Sequence, residues 1–204
     1  MVSKSKHKTA LVGLVLSLLL SISVKAANYY WIGGTGNYND VAHWATSSGG
    51  TSGGIVPTLA DNIFFDANSF TAAGQIVTVN VNSACANMDW TGATNSPTLA
   101  GASTLNVHGS LTFISTMTNN YTGTLTFKAT SAGQTITSAG KIFGGPIYID
   151  GVGGAWTLQD AFSSGTKNVY LVRGDLNTNS QNFTTNAFLS NYTNTRSLTL
   201  GASN

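Results

Sequence analysis

The chain contains no glutamate, and charged residues make up only 8% of its 204 positions. Its single cysteine, Cys85, excludes an intrachain disulfide framework and reads as a small buried filler. Proline occurs only at Pro57, Pro97 and Pro146, and after Val24 there is no long apolar run and no 3.6-residue periodicity. A helical bundle and a membrane span beyond the first residues are therefore excluded. Glycoside hydrolysis commonly needs paired carboxylates, and lyase chemistry on a β-helix needs clustered Asp with Arg or Lys. The Asp here are dispersed, and no HxxxH, GxSxG or Cys/His nucleophile pattern occurs, so the chain reads as non-enzymatic.

What is present begins with a leader. Lys4, Lys6 and Lys8 precede an apolar run from Ala10 to Val24, and Val24-Lys25-Ala26 places small residues for cleavage after Ala26. The run is short for a bilayer, so residues 1–26 read as a cleaved signal peptide, and the chain as secreted or displayed at the cell surface. The formal charge of +2 belongs to that leader. Beyond it, Lys128, Lys141, Lys167, Arg173 and Arg196 face seven Asp, a net of −2, which points away from nucleic acid.

Residues 27–204 are rich in Gly, Ser, Thr and Asn, with β-branched and aromatic residues throughout. Gln75–Asn82 alternates Val77, Val79 and Val81 with Thr78, Asn80 and Asn82, as a half-buried strand does. Further strands are expected at Thr104–Val107, Ser110–Ile114, Thr124–Ala129, Gln134–Thr137, Pro146–Ile149, Trp156–Leu158, Asn168–Val172 and Ser197–Leu200. Loose echoes relate Val107-His-Gly-Ser-Leu111 to Val172-Arg-Gly-Asp-Leu176, and Gly101-Ala-Ser103 to Gly201-Ala-Ser203. The fold class they predict is all-β: a right-handed parallel β-helix (β-solenoid) with an aromatic N-terminal cap, or alternatively β-sandwich repeats. The cap region is placed at 27–70 and the solenoid repeats at 71–204, continuing beyond Asn204.

The segment WIGGTGNYNDVAHW is the candidate ligand-contact or cap region. Trp31, Tyr38 and Trp44 could stack on a sugar with Asp40 and His43 as hydrogen-bonding partners, or could plug the open end of the solenoid. Gly33-Gly34-Thr35-Gly36 lacks the strand, helix and Lys of a phosphate loop and reads as a turn. No cofactor is called for, although Asp61, Asp66, Asn62 and Asn68 offer oxygen ligands for a weak Ca²⁺ site. Arg173-Gly174-Asp175 spells an adhesion tripeptide but aligns with the echo's variable corner positions. Asn120, Asn182 and Asn191 match the glycosylation acceptor pattern, which informs only in a eukaryotic host.

The run YWIGGTGNYNDVAHWATSSGG…VPTLADNIFFDANSF, followed by NMDWTG, GSLTF, GVGGAWTLQD and LVRGDLNTNSQNFTTNAFLSNYTNTRSLTLG, resembles the N-terminal regions of very large repetitive surface proteins of Bacteroidetes. Trp31, Gly33, Gly34, Gly36, Trp44, Pro57, Asp61 and Asp66 carry the opening pattern, and Tyr38 stands where that family more often has Trp. The resemblance implies an adhesin-like protein exported by the type IX secretion route. It implies a location and a broad role, not a ligand. The expected function is a secreted or cell-surface structural protein whose Thr/Asn/Ser-rich solenoid makes weak polar contacts with glycans or extracellular surfaces. The alternative is the non-catalytic front end of a glycan-active extracellular enzyme. Ice binding through Thr124, Thr126, Thr135 and Thr137 is disfavoured by their irregular spacing.

Overall fold

The structure, a computed structural model, describes residues 26–203. The leader expected over 1–26 lies outside them except for Ala26. The described chain is all-β apart from one 3₁₀ turn, Val41–His43, and its parallel strands stack into a β-solenoid of about 6 turns. No helix among the described residues is long and apolar enough to cross a membrane.

Short strands dominate because Gly, Asn and Ser interrupt every apolar stretch after three or four residues. No strand that short can bury its apolar side alone, so each lies in register on the strand one turn earlier. One face runs Tyr29, Ile63, Met88, Leu111, Ile136, Leu158, and all six side chains point into the core. A second face stacks Cys85, Val107, Phe127, Ile149 and Leu171, also inward. A third, shorter sheet joins Gly36–Asn37, Ile76–Val79, Thr98–Gly101 and Thr118–Tyr121, all parallel. The β-sandwich alternative is excluded by this path.

Between the faces runs an aromatic spine. Phe65 stacks on Trp90 with ring centroids 3.8 Å apart, Phe113 meets Trp90 edge to face at 6.4 Å, and from Phe113 the rings of Phe143, Phe162 and Phe183 stack in turn at 4.8–5.7 Å. All of these rings but Phe183 are buried, which removes a large apolar area from water along the stack.

Two strands depart from the expected pattern. The segments Pro146–Ile149 and Trp156–Leu158, expected as separate strands, are joined in one strand, Ile147–Leu158, that rounds the corner between the first two faces. Val169–Asn177 rounds the same corner one turn later. A bulge places Ile149 opposite Leu171 but Asp150 opposite Arg173, so Val172 is the extra residue. The echo noted in the sequence is therefore not kept as a register. Val107 stacks through Phe127 and Ile149 to Leu171 and not Val172, and Leu111 stacks through Ile136 to Leu158, whereas Leu176 pairs with Trp156, two residues short.

Gly174 sits at a crowded point of that corner. Its φ is +87°, and a Cβ there would lie 2.5 Å from the Gly151 carbonyl oxygen. Gly133 has the same φ but open space around it. Gly133→Ala should cost only the left-handed penalty, about 1–2 kcal/mol. Gly174→Ala should lose roughly 1–3 kcal/mol more from the backbone clash. Denaturant midpoints of the two variants measure the difference directly.

Candidate functional site

The opening segment is built around buried rings. Trp31 and Trp44 are 0% exposed and Tyr38 is 1% exposed, so none offers a free face to a sugar. Trp31 and Trp44 meet edge to face at 5.1 Å, across an antiparallel pairing of Asn28–Trp31 with Trp44–Ala45. Each polar handle is satisfied internally: Trp31 Nε1 donates to Gly34 O and Trp44 Nε1 to Tyr38 O, both at 2.7 Å. The Tyr38 hydroxyl donates to Ala84 O, and burial holds its pKa well above the phenol range.

His43 lies flat on Trp31, with centroids 4.6 Å apart and planes 5° apart. Its Nδ1 meets the Ile32 carbonyl at 2.7 Å and must carry a proton to do so. Gly36 makes room for the imidazole, since a Cβ there would come within 2.0 Å of Nε2. Asp40 is exposed and caps the 3₁₀ turn by accepting from Ala42 N–H. The five residues singled out in the sequence thus come together beside Asn28–Trp31, the strand that pairs Trp44–Ala45 on one side and Asn62–Phe64 on the other.

The acidic residues are held by structure. Asp61 accepts from Ala27 N–H, Thr58 N–H and the Thr58 hydroxyl, at 3.1, 2.8 and 2.7 Å. Burial alone raises its pKa, but those three donors outweigh it and hold the carboxyl below its ordinary value. Asp66 and Asp89 accept from backbone N–H groups two residues on, at Asn68 and Thr91, as Asx turns do. Asp160 takes the N–H groups of Ser138 and Ala139. Among the described residues no group of three or more His, Cys, Asp or Glu is placed to hold a metal ion. The adhesion tripeptide lies within a strand: Arg173 bonds to Asp150, and Asp175 accepts from the Ser197 hydroxyl. Asn120, Asn182 and Asn191 are exposed.

A different surface carries a row of polar and phenolic side chains. On the outward side of the second face, Asn106, Thr126, Tyr148 and Tyr170 lie in register on successive turns. The Tyr148 and Tyr170 rings stack at 4.4 Å with planes 6° apart. Burial, and then the Tyr170 and Tyr192 phenols, push the Tyr148 hydroxyl above its ordinary range. Next to Tyr148 is a recess lined by Thr104, Asn106, Thr124, Thr126, Lys128 and Asp150. The chain matches no family model, no curated protein and no solved structure. This outward face was not expected from the sequence, although the signal was present: Ile147-Tyr-Ile149 and Val169-Tyr-Leu171 are the same inward-outward-inward triplet one turn apart.

The tryptophans allow a graded test of the opening layer. Trp90 is also fully buried, but its Nε1 has no hydrogen-bond partner. Trp90→Phe should therefore cost about 1–3 kcal/mol less than Trp31→Phe or Trp44→Phe, each of which orphans a buried carbonyl. Trp31→Ala and Trp44→Ala should each lose about 3–5 kcal/mol. Urea midpoints give the ranking.

Asp61 sets an acid limit. Because its folded pKa lies below its ordinary 3.8, its stabilisation is full above that value and disappears as pH falls through the lowered one. Asp61→Asn should be less stable than wild type by about 1.5–3 kcal/mol at pH 7. That gap should shrink below pH ~4, as unfolding curves across pH 2–7 would show.

Proposed function

We propose that this chain is a secreted or surface-displayed, non-catalytic structural protein of adhesin-like character. Its solenoid presents long polar faces for weak, repeated contacts with glycans or partner surfaces. The observation that supports this most directly is the outward ladder Asn106, Thr126, Tyr148, Tyr170, repeated at the spacing of stacked strands, about 4.8 Å. A parallel row, Thr135, Thr157, Asn177 and Thr199, runs along the neighbouring face. Rows of hydroxyls and amides at a fixed pitch suit an extended polymer, where single contacts are weak and their number supplies the avidity. The leader-like first 26 residues support export, and the use of Asp side chains as turn and strand fasteners supports a role without turnover.

The test is retention. Beads coated densely with the chain are flowed over surfaces carrying a panel of insoluble polysaccharides, alongside the free monomer. Coated beads should be held at least one surface type while monomer binding stays ~10²-fold weaker or more, the signature of avidity. Retention on none, or release of new reducing ends from any of the panel, would overturn the reading.

A further inference from the structure

We propose that the recess beside Tyr148 is a subsite for one neutral pyranose ring. The proposal rests on the adhesive reading above and names the ligand class of its polar face. Along the outward ladder the side chain changes abruptly from Thr126 to Tyr148. Tyr170 covers one face of the Tyr148 ring at 4.4 Å, so the opposite face looks toward the Thr126 turn. The step in side-chain size leaves the recess there, about 320 Å³, at the small end for ligand pockets. Thr126 forms its floor, only 7% exposed. The space suits a single ring, open to solvent on its outer side.

The lining selects the chemistry. A pyranose has an apolar C–H face, which an aromatic face binds, and a rim of hydroxyls that both donate and accept. Asn106 supplies an amide, Thr104 and Thr124 supply hydroxyls, and Asp150 and Lys128 supply one acceptor and one donor of opposite charge. The Arg173 side chain bonded to Asp150 neutralises that carboxylate and holds it at the wall as an acceptor. What the lining offers is one aromatic face ringed mainly by hydroxyls and an amide, the match for a polyol with one flat apolar side. Tyr170 acts as a positioning residue, holding the Tyr148 ring in its plane. A ligand of this size should bind with Kd of roughly 1 mM, useful only when many copies act together.

The test is saturation-transfer NMR on the purified chain with four methyl glycosides: β-glucoside, β-galactoside, α-mannoside and N-acetyl-β-glucosaminide. At least one should receive saturation on the C–H groups of one ring face. Tyr148→Ala should weaken that binding about ten-fold or more. Asn106→Tyr, which keeps Tyr148 and fills the recess from the opposite wall, should do the same. It decides the matter if Tyr148→Ala fails to fold. Thr118→Ala, exposed on the third sheet, should leave binding unchanged. The proposal is overturned if no glycoside receives saturation, if the signal survives Asn106→Tyr, or if a methyl uronate binds better than every neutral glycoside. Coated beads held by polysaccharide while the glycosides ignore the recess would sink this subsite and leave the adhesive reading intact; failure of both would remove both.

Discussion

Everything in this molecule depends on parallel strands stacking in register, each side chain resting on its counterpart one turn away. The backbone hydrogen bonds run along the axis and set a pitch of about 4.8 Å, which every inward residue must share with its neighbours. Leu111 can sit between Met88 and Ile136 because all three fill similar volumes at that pitch. Where the volumes change, the fold compensates locally. Ser138 is fully buried two residues beyond Ile136, at the place where Phe113 stands in the preceding turn, and Phe143 supplies the missing ring to the spine. The Ser138 hydroxyl is then satisfied by the Ala161 carbonyl. Core packing and polar satisfaction are solved together, one turn at a time.

The same constraint explains why the acids are placed as they are. A solenoid has many corners, and each corner exposes backbone N–H groups that have no strand partner. Asp40, Asp66 and Asp89 answer local donors, while Asp61 and Asp160 reach across 21 to 34 residues to donors on other segments. Five of the seven Asp are thus used to fasten turns and segments, and the outward faces consist largely of hydroxyls, amides and phenols.

Much of the fold was legible. Ile76–Val79, Leu105–Val107, Leu125–Phe127 and Gln134–Thr137 fall inside the strands expected from alternation, because a half-buried strand shows period two whatever its neighbours are. The strands at Asn62–Phe64, Met88–Asp89 and Thr98–Gly101 were not, being too short or too interrupted to display any period. The repeat length was hidden for a related reason. Successive partners Ile63, Met88, Leu111, Ile136 and Leu158 are unequally spaced, since loops outside the strands vary freely without disturbing the stack. The site was the hardest part. Trp31 and Trp44 draw the eye as aromatics near Gly and Asn, yet burial is a property of what packs over them, here His43 and Phe65. Tyr148 and Tyr170 look ordinary in sequence because only the coil brings them face to face.

The continuous strands that round the corner at Asp150 and Arg173 also bear on how such a molecule carries tension. Pulled along its axis, a solenoid bears load through the hydrogen bonds between turns, so its weakest joint is the one with the fewest of them. The turn of Met88–Asp89 meets that of Leu111–Thr112 through two register pairs there, three between Ser83–Cys85 and Leu105–Val107, and four between Ile76–Val79 and Thr98–Gly101. Ile147–Leu158 and Val169–Asn177 instead put seven pairs into one continuous seam. Load is therefore divided among several short seams in the earlier turns and carried largely by one broad seam later, and the tyrosine pair sits on that broad seam.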